Sequence, residues 1–325
     1  MHRRSFCLGT GAAAAGALLP ALVAAEDWPA RAIRMIVPFP AGGGTDAISR
    51  QLAERITHAT GWSIAIENRA GAGGNIGLES VAKAAPDGYT IGMGQAANLA
   101  INPSLYPRMP YDPLKDFALI SLVATQALVA VVSAKSPYRT LGDLIAAAKA
   151  KPGTVTVAHT GNGTVGHLAG EVFARQAGIK VLIVPYKGAA QVVTDILGGQ
   201  VDLLFGNPLA VMPLASAGLL HPIAVTSLQR LPALPEVPTV EEIGYRGFEA
   251  TNWSGLVAPA KTPAAVVARL NAEVNAALRQ PELVAKLAID SSEPLPSSPE
   301  RFAEFLRAEH AKWGSLIRDA GIKLE

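Results

Sequence analysis

The stretch Ile33-Arg34-Met35-Ile36-Val37-Pro38-Phe39-Pro40-Ala41-Gly42-Gly43-Gly44-Thr45-Asp46 runs from an apolar segment through a glycine loop into a segment of helical period. A strand, a glycine loop and a helix in that order are the building block of α/β lobes. The chain repeats the block. Val155–Ala158 leads into Gly161-Asn162-Gly163-Thr164, a helical stretch, Val181–Val184 and then Lys187-Gly188. The first copy likewise continues through Ile64–Glu67 to Arg69 and Gly71. Thr45 and Arg69 stand 24 positions apart, Thr164 and Lys187 stand 23 apart. Third apolar runs follow, Tyr89–Met93 in one copy and Val201–Phe205 in the other. Two α/β lobes that each present a Gly-Thr helix start predict a ligand held between them.

The ends and the composition narrow the setting. Arg3 and Arg4 precede an apolar, Ala-rich segment, Leu8–Leu22, and Val23-Ala24-Ala25 offers small residues for cleavage before Glu26. That pattern reads as a signal peptide over residues 1–25, and its apolar stretch is short for a membrane span, which needs about 20 residues. Arg3-Arg4-Ser5-Phe6 resembles a twin-arginine signal, and two arginines also suit the general secretory route. Cys7, the only cysteine of the chain, falls within that segment. The mature chain is therefore expected to lack disulfides, thiolate metal sites and a cysteine nucleophile. Removing Arg3 and Arg4 from 28 basic residues leaves 26, against 26 acidic ones. A formally neutral mature protein argues against nucleic acid or an anionic membrane as the main partner.

Roughly 300 mature residues exceed what one hydrophobic core serves, so two domains are expected. Short apolar runs bounded by Gly and Pro alternate with helical segments, which predicts mostly parallel sheets. Asp46–Ala59 and Asn75–Ala84 read as helices, and the Pro-rich passage Asn102–Pro113 as a cover on the outside of the first lobe. Thr140 with Asp143 three residues on predicts a capped helix over Thr140–Ala150. Leu119–Val132 is a long apolar run at the expected crossover, and Trp253–Ala258 reads as a strand returning to the first lobe. Ala264–Leu278 and Arg301–Ala320 read as amphipathic helices, the last opened by Ser298-Pro299 and closed by Gly321. Domain 1 would then comprise residues 26–125 and 251–325, and domain 2 residues 126–250, joined by a hinge.

Gly42 to Asp46 is the strongest local signal. Glycines let backbone N–H groups approach a ligand, and Thr45 or Asp46 is placed to cap the following helix. A helix N-terminus carries partial positive charge and free donors, so it receives a carboxylate or phosphate without a side-chain cation. Thr160-Gly161-Asn162-Gly163-Thr164 offers the same from the other lobe. His159 and His167 flank that loop with no acidic ligand in register, so they are expected to bond loop carbonyls. Gly71–Gly77 resembles a nest of N–H groups with Asn75 as an amide donor. Lys187 is a candidate cation, and Asn207 and Asn98 are candidate hydrogen-bonding groups at matching strand ends.

A rival reading uses the same residues. Gly42-x-Gly44-x-x-Ala47 satisfies the dinucleotide fingerprint, and Glu67 stands 23 residues past Gly44, where a ribose-binding acid belongs. An exported nicotinamide-dependent oxidoreductase follows from it. Pro38 and Pro40 interrupt that loop, and no Lys–His or Tyr–Lys pair is placed for hydride chemistry. The chain also has no G-x-S-x-G elbow and no H-E-x-x-H helix.

Ile36–Phe39 with Gly42–Asp46, and Glu67-Asn68-Arg69 through Gly77, resemble the solute-binding proteins of tripartite tricarboxylate transporters, the Bordetella uptake gene (Bug) family. So do Ala85-Pro86-Asp87-Gly88-Tyr89-Thr90, Gly161–Thr164 with His167–Glu171, Val184–Gly188 and Leu234-Pro235-Glu236-Val237-Pro238-Thr239. The resemblance runs through the whole mature chain in order. It implies a type II periplasmic binding protein fold: two α/β lobes joined by a hinge, with a ligand cleft between them. It implies a monomeric, non-enzymatic periplasmic protein with no cofactor and no metal, which delivers a small organic carboxylate to membrane permease subunits. A sensor-type extracytoplasmic subunit that talks to a kinase instead of a permease shares every sequence feature above.

Carried over by position, the resemblance implies first-lobe contacts from the loop Phe39–Asp46, with Phe39, Ala41, Gly43, Gly44, Thr45 and Asp46 as candidates, from Asn75, and from the loop Gln95–Asn98, with Ala96 and Ala97 as candidates. From the second lobe it implies Thr160, Gly161, Asn162, Gly163, Thr164, Tyr186, Lys187, Gly188 and Asn207, and His167 is a further candidate contact. Gly206 stands where such proteins often carry an acid, Val165 where a serine is common, and Gln95-Ala96-Ala97 replaces a Ser/Thr-rich loop.

Overall fold

The computed structural model describes residues 28–289 and 291–322. The signal-peptide reading and Cys7 lie outside the described residues. Two sheets organise the chain. The first lobe begins with β1 (Ile33–Val37), α1 (Gly44–Thr60), β2 (Ile64–Asn68), α2 (Asn75–Ala82) and β3 (Thr90–Gln95). A π turn (Ala97–Ile101) and the short α3 (Asn102–Leu105) lead to β4 (Phe117–Ala127). The second lobe holds β5 (Val129–Ser133), α4 (Leu141–Ala150), β6 (Thr156–His159), α5 (Val165–Gln176) and β7 (Leu182–Pro185). It continues with α6 (Ala189–Leu197), β8 (Leu203–Gly206), α7 (Pro208–Ser216) and β9 (Leu220–Val225). The chain then returns through β10 (Thr251–Pro259), α8 (Ala264–Leu278), α9 (Pro281–Ile289), β11 (Ser292–Pro294) and α10 (Pro299–Ala320).

The first sheet has the order β11-β4-β10-β3-β1-β2, the second β7-β6-β8-β5-β9. Both are mixed, which corrects the expectation of mostly parallel sheets. β1 pairs in parallel with β2 and β3, whereas β10 runs antiparallel to both β3 and β4. In the second sheet β6 is parallel to β7 and β8, and β5 is antiparallel to β8 and β9. The reason is connectivity. The long strands that travel between lobes run against the βαβ units of the sheets they enter. The run Leu119–Val132 is accordingly two strands, split at Leu128.

Helix starts follow local chemistry. Thr140 Oγ1 accepts from Asp143 N, and the Asp143 carboxylate accepts from Thr140 N, a complete capping box on α4. Ser298 caps α10 by accepting from Arg301 N, and Gly321 closes it with φ 66°. α10 packs on the first sheet through Trp253, whose Nε1 donates to Glu309 Oε2 at 2.8 Å beside Trp313 Nε1 at 2.9 Å. The same helix reaches α5 of the second lobe.

Thr226 ties the two crossings together. Its Oγ1 accepts from Leu128 N at 2.8 Å and donates to Ala250 O at 2.7 Å. Its N–H donates to Leu128 O, and its carbonyl accepts from Ala250 N, both at 3.0 Å. Thr226 is fully buried, so water cannot replace these bonds. Thr226→Val keeps the shape, leaves the Leu128 amide without its acceptor, and is expected to cost about 2–3 kcal/mol in urea unfolding. A loss below about 0.5 kcal/mol would show that the hydroxyl does not hold the crossings.

Candidate functional site

α1 starts at Gly44 with Gly43 as N-cap in extended backbone, and no side chain caps it. The expectation that Thr45 or Asp46 caps this helix is corrected: both lie inside its first turn. The N–H groups of Gly44, Thr45 and Asp46 have no acceptor within the helix, the first intrahelical bond being Ala47 N to Gly43 O. The Thr45 hydroxyl instead meets Gln95 Nε2. The Asp46 carboxylate turns back to accept from the Gly42 amide, Asn68 Nδ2 and Arg50 Nε, each at 2.9 Å. Burial opposes ionisation of Asp46, but Arg50, the Gly42 amide and Asn68 outweigh it and hold the carboxyl below its usual range. Its charge is thus compensated before any external anion arrives.

The second loop is held differently. Thr164 caps α5 by accepting from His167 N, and its hydroxyl donates to Gly161 O at 2.8 Å. His159 Nδ1 accepts from Gly161 N at 3.2 Å, and His167 Nδ1 from Gly163 N at 3.3 Å. The rings lie 4.4 Å apart. The polarity is the reverse of the expected bonds to loop carbonyls, because the glycine backbone turns its amides inward. Two of the loop amides expected to face a ligand are therefore occupied by imidazoles. The Thr160–Thr164 loop abuts the next one, since a Cβ at Gly161 would lie 4.0 Å from Tyr186 O. Tyr186 donates its hydroxyl to Asp195 at 2.6 Å. Lys187 and Asn162 are exposed, and Lys187 makes no ion pair among the described residues. Gly188 is the N-cap of α6.

The two lobes meet over a closed cleft. Gly44, Thr45 and Gln95 line it from the first lobe and Asn207 from the second, while Gln126, Asn252 and Ser254 come from β4 and β10. The space left among them is about 10 Å³, room for about one water. Asn207 caps α7 by accepting from Leu209 N, and its Nδ2 would lie 3.2 Å from a Cβ at Gly44. A second contact joins Gly163 to Asn102: a Cβ at Gly163 would come within 2.6 Å of Asn102 Oδ1. The segment expected to cover the outside of the first lobe thus begins buried at the lobe junction. Gly206 has a packing reason, because a Cβ there would meet Val211 Cγ1 at 2.5 Å.

Several expected contacts fall outside this cleft. Asn75 is buried, and its Oδ1 accepts from Asn102 Nδ2 at 2.8 Å and Tyr111 OH at 3.0 Å, so it braces the Gly71–Asn75 turn. Phe39 packs over Gly74, Ala41 is exposed, and Ala96 and Ala97 are buried at the start of the π turn. Glu67 is paired with Arg69 and Arg34, so its carboxylate is not free to accept a ribose hydroxyl.

Residues 48–322 match the family described as Tripartite tricarboxylate transporter family receptor. The chain belongs to that family. It is 37% identical to Protein BugT of Bordetella pertussis over 100% of this chain and 99% of that protein. Among solved structures, the periplasmic binding protein BugD superposes with a TM-score of 0.84 at 35% identity, covering 91% of this chain and 100% of that one. R. palustris Rpa4515 with adipate superposes at 0.86 with 36% identity, covering 92% and 100%. The fold is that of two-lobed periplasmic binding proteins, and the family is one of receptors rather than enzymes. Among the described residues no cluster of three or more His, Cys, Asp or Glu is placed to hold a metal, and no helix is long and apolar enough to cross a membrane.

In this receptor the floor residues Gln126, Asn252 and Ser254 were absent from the sequence reading. Asn252 and Ser254 stand two apart in the sequence, which places them on one face of the strand with Trp253 between them on the other. The histidine pair carries a pH dependence. Burial lowers both rings, and His159 beside it helps to push His167 down to about 4 from 6.5. As pH falls below 6.5 the unfolded chain takes up the proton first, so this contribution to stability is complete above 6.5 and lost through about 4. Glu171, whose Oε1 lies 3.8 Å from His167 Nε2, is raised by burial and works in the opposite sense. His167→Asn keeps an acceptor for Gly163 N and does not titrate. Its stability relative to the parent protein should rise as pH drops from 6.5 to 4, read by urea unfolding at each pH. A constant difference would remove the histidine from the acid response.

Proposed function

We propose that this chain is a periplasmic solute-binding receptor that captures a small organic carboxylate between its lobes and delivers it to the permease of a tripartite transporter. The observation that carries this reading is the bare N-terminus of α1, a 17-residue helix opening into the interlobe cleft. Its amides and its dipole suit one carboxylate without a side-chain cation. The adipate held by the R. palustris relative supports the same ligand class. The lobes comprise residues 26–125 with 251–325, and residues 126–250, with export directed by residues 1–25 and cleavage near Ala25.

Capture requires movement. A cavity of about 10 Å³ holds no organic acid, so the lobes part about the Leu128, Thr226 and Ala250 crossings, admit the ligand and close on it. One carboxylate rests on the Gly44–Asp46 amides, and the Thr160–Thr164 loop, Tyr186–Gly188 and Asn207 close over the remainder. Charge-assisted hydrogen bonds contribute about 1.5–3 kcal/mol each. Three or four, less the cost of ordering and closure, reach micromolar affinity.

Calorimetric titration with adipate, succinate, citrate and benzoate is expected to give saturable binding to at least one. At 100 times its dissociation constant that acid should add about 2.7 kcal/mol of stability. Thr45→Val should weaken the same acid about tenfold with an unchanged fold by circular dichroism. Silence across the acids together with a thermal shift from reduced nicotinamide nucleotides would replace the receptor reading with the oxidoreductase.

A further inference from the structure

We propose that Ser254 is a specificity-determining ligand contact and that it selects carboxylic acids bearing an oxygen on the carbon next to the carboxylate, the 2-hydroxy and 2-oxo acids. The inference rests on the carboxylate reading above and names the substrate class within it.

Ser254 lines the cleft and is only 3% exposed, and its Oγ is buried with no hydrogen-bond partner among the described residues. A buried hydroxyl without a partner is unfavourable unless something supplies one. Its neighbours in register explain why no side chain does. Across the sheet Ser254 pairs with Gln95 on β3 and Ala124 on β4. Gln95 is turned to Thr45, and Ala124 is too small to reach. The row therefore leaves one buried hydroxyl without a partner beside a space of about 10 Å³, room for about one oxygen-centred group. That space also borders Gly44 and Thr45, where the carboxylate rests in the proposed mode. A group attached one carbon from the carboxylate is the part of a ligand that reaches it.

The chemistry of the floor sets the kind of group. Gln126, Asn252 and Ser254 are neutral, and no cation lines the cleft among the described residues. A second carboxylate at this point would lose its hydration without a compensating charge. A hydroxyl or carbonyl oxygen loses little, because a serine both donates and accepts. For an acid without that oxygen, a water takes the position and the ligand forfeits the bond.

Matched pairs of acids test this by calorimetry: lactate against propionate, malate against succinate, and mandelate against phenylacetate. For at least one pair the protein should bind the oxygenated member about tenfold more tightly. Ser254→Ala should abolish that preference by weakening the oxygenated acid while leaving its partner unchanged. Ser254→Cys, close in size and a weak hydrogen-bonder, serves if the alanine variant melts early, and the same loss of preference is expected. Binding without preference in the parent protein, or a preference that survives both substitutions, overturns the role of Ser254 and leaves the carboxylate reading intact. Failure of every acid to bind overturns both.

Discussion

Closure of the two lobes depends on glycine at position 163. Its φ is +77°, and a methyl group there would sit 2.6 Å from Asn102 Oδ1, inside any tolerated contact. Asn102 has little freedom to retreat, because its Nδ2 donates to Gly73 O at 3.1 Å and to Asn75 Oδ1 at 2.8 Å. The approach of lobe two to lobe one is therefore limited by backbone against a pinned amide. Side chains of adaptable length do not set it. At Gly44 the tolerance is looser, with Asn207 Nδ2 at 3.2 Å from the position a Cβ would take. Gly163 brings the lobes to their stop, and Gly44 lets the α1 amides share the space enclosed there.

The two glycine loops look alike in sequence and differ in chemistry. Both come from strand–glycine–helix units, yet one helix is capped by Thr164 and the other begins bare at Gly43. The second loop also gives two amides to His159 and His167. A pair of equivalent anion grips would place the ligand symmetrically between lobes. The structure instead leaves the Gly43–Asp46 loop with free donors and satisfies the Thr160–Thr164 loop from within its own lobe. This asymmetry fits a hinge. The lobe with unsatisfied amides gains most from an anion, while the other can close or open without breaking its own loop.

Where hydrogen bonding is local, the sequence was readable. Thr140 with Asp143 and Ser298 with Pro299 cap their helices as their spacing requires, since a cap involves only the next three residues. At α1 the same reasoning chose Thr45 or Asp46 over Gly43. The competing partners, Gln95 for Thr45 and Asn68 for Asp46, lie 50 and 22 residues away. Strand direction was equally hidden. Nothing in Leu119–Val132 marks the change of sheet at Leu128, because both strands are buried and lack alternation.

The floor of the cleft illustrates why function is harder to read than fold. Gly44, Thr45 and Asn207 announce themselves through loop chemistry, whereas Ser254 sits in a strand most of whose residues fill the core. Leu256 on its face packs with Ile48 and Ala124, while Trp253 and Gly255 on the opposite face meet Phe302 of α10. Such a strand reads as structural throughout. A small polar residue inside a buried strand is one a core would replace first, since a buried hydroxyl without a partner destabilises the protein that carries it. That destabilisation is local to the point where the hinge strands pass beneath the α1 amides, the same point at which a closing ligand would relieve it.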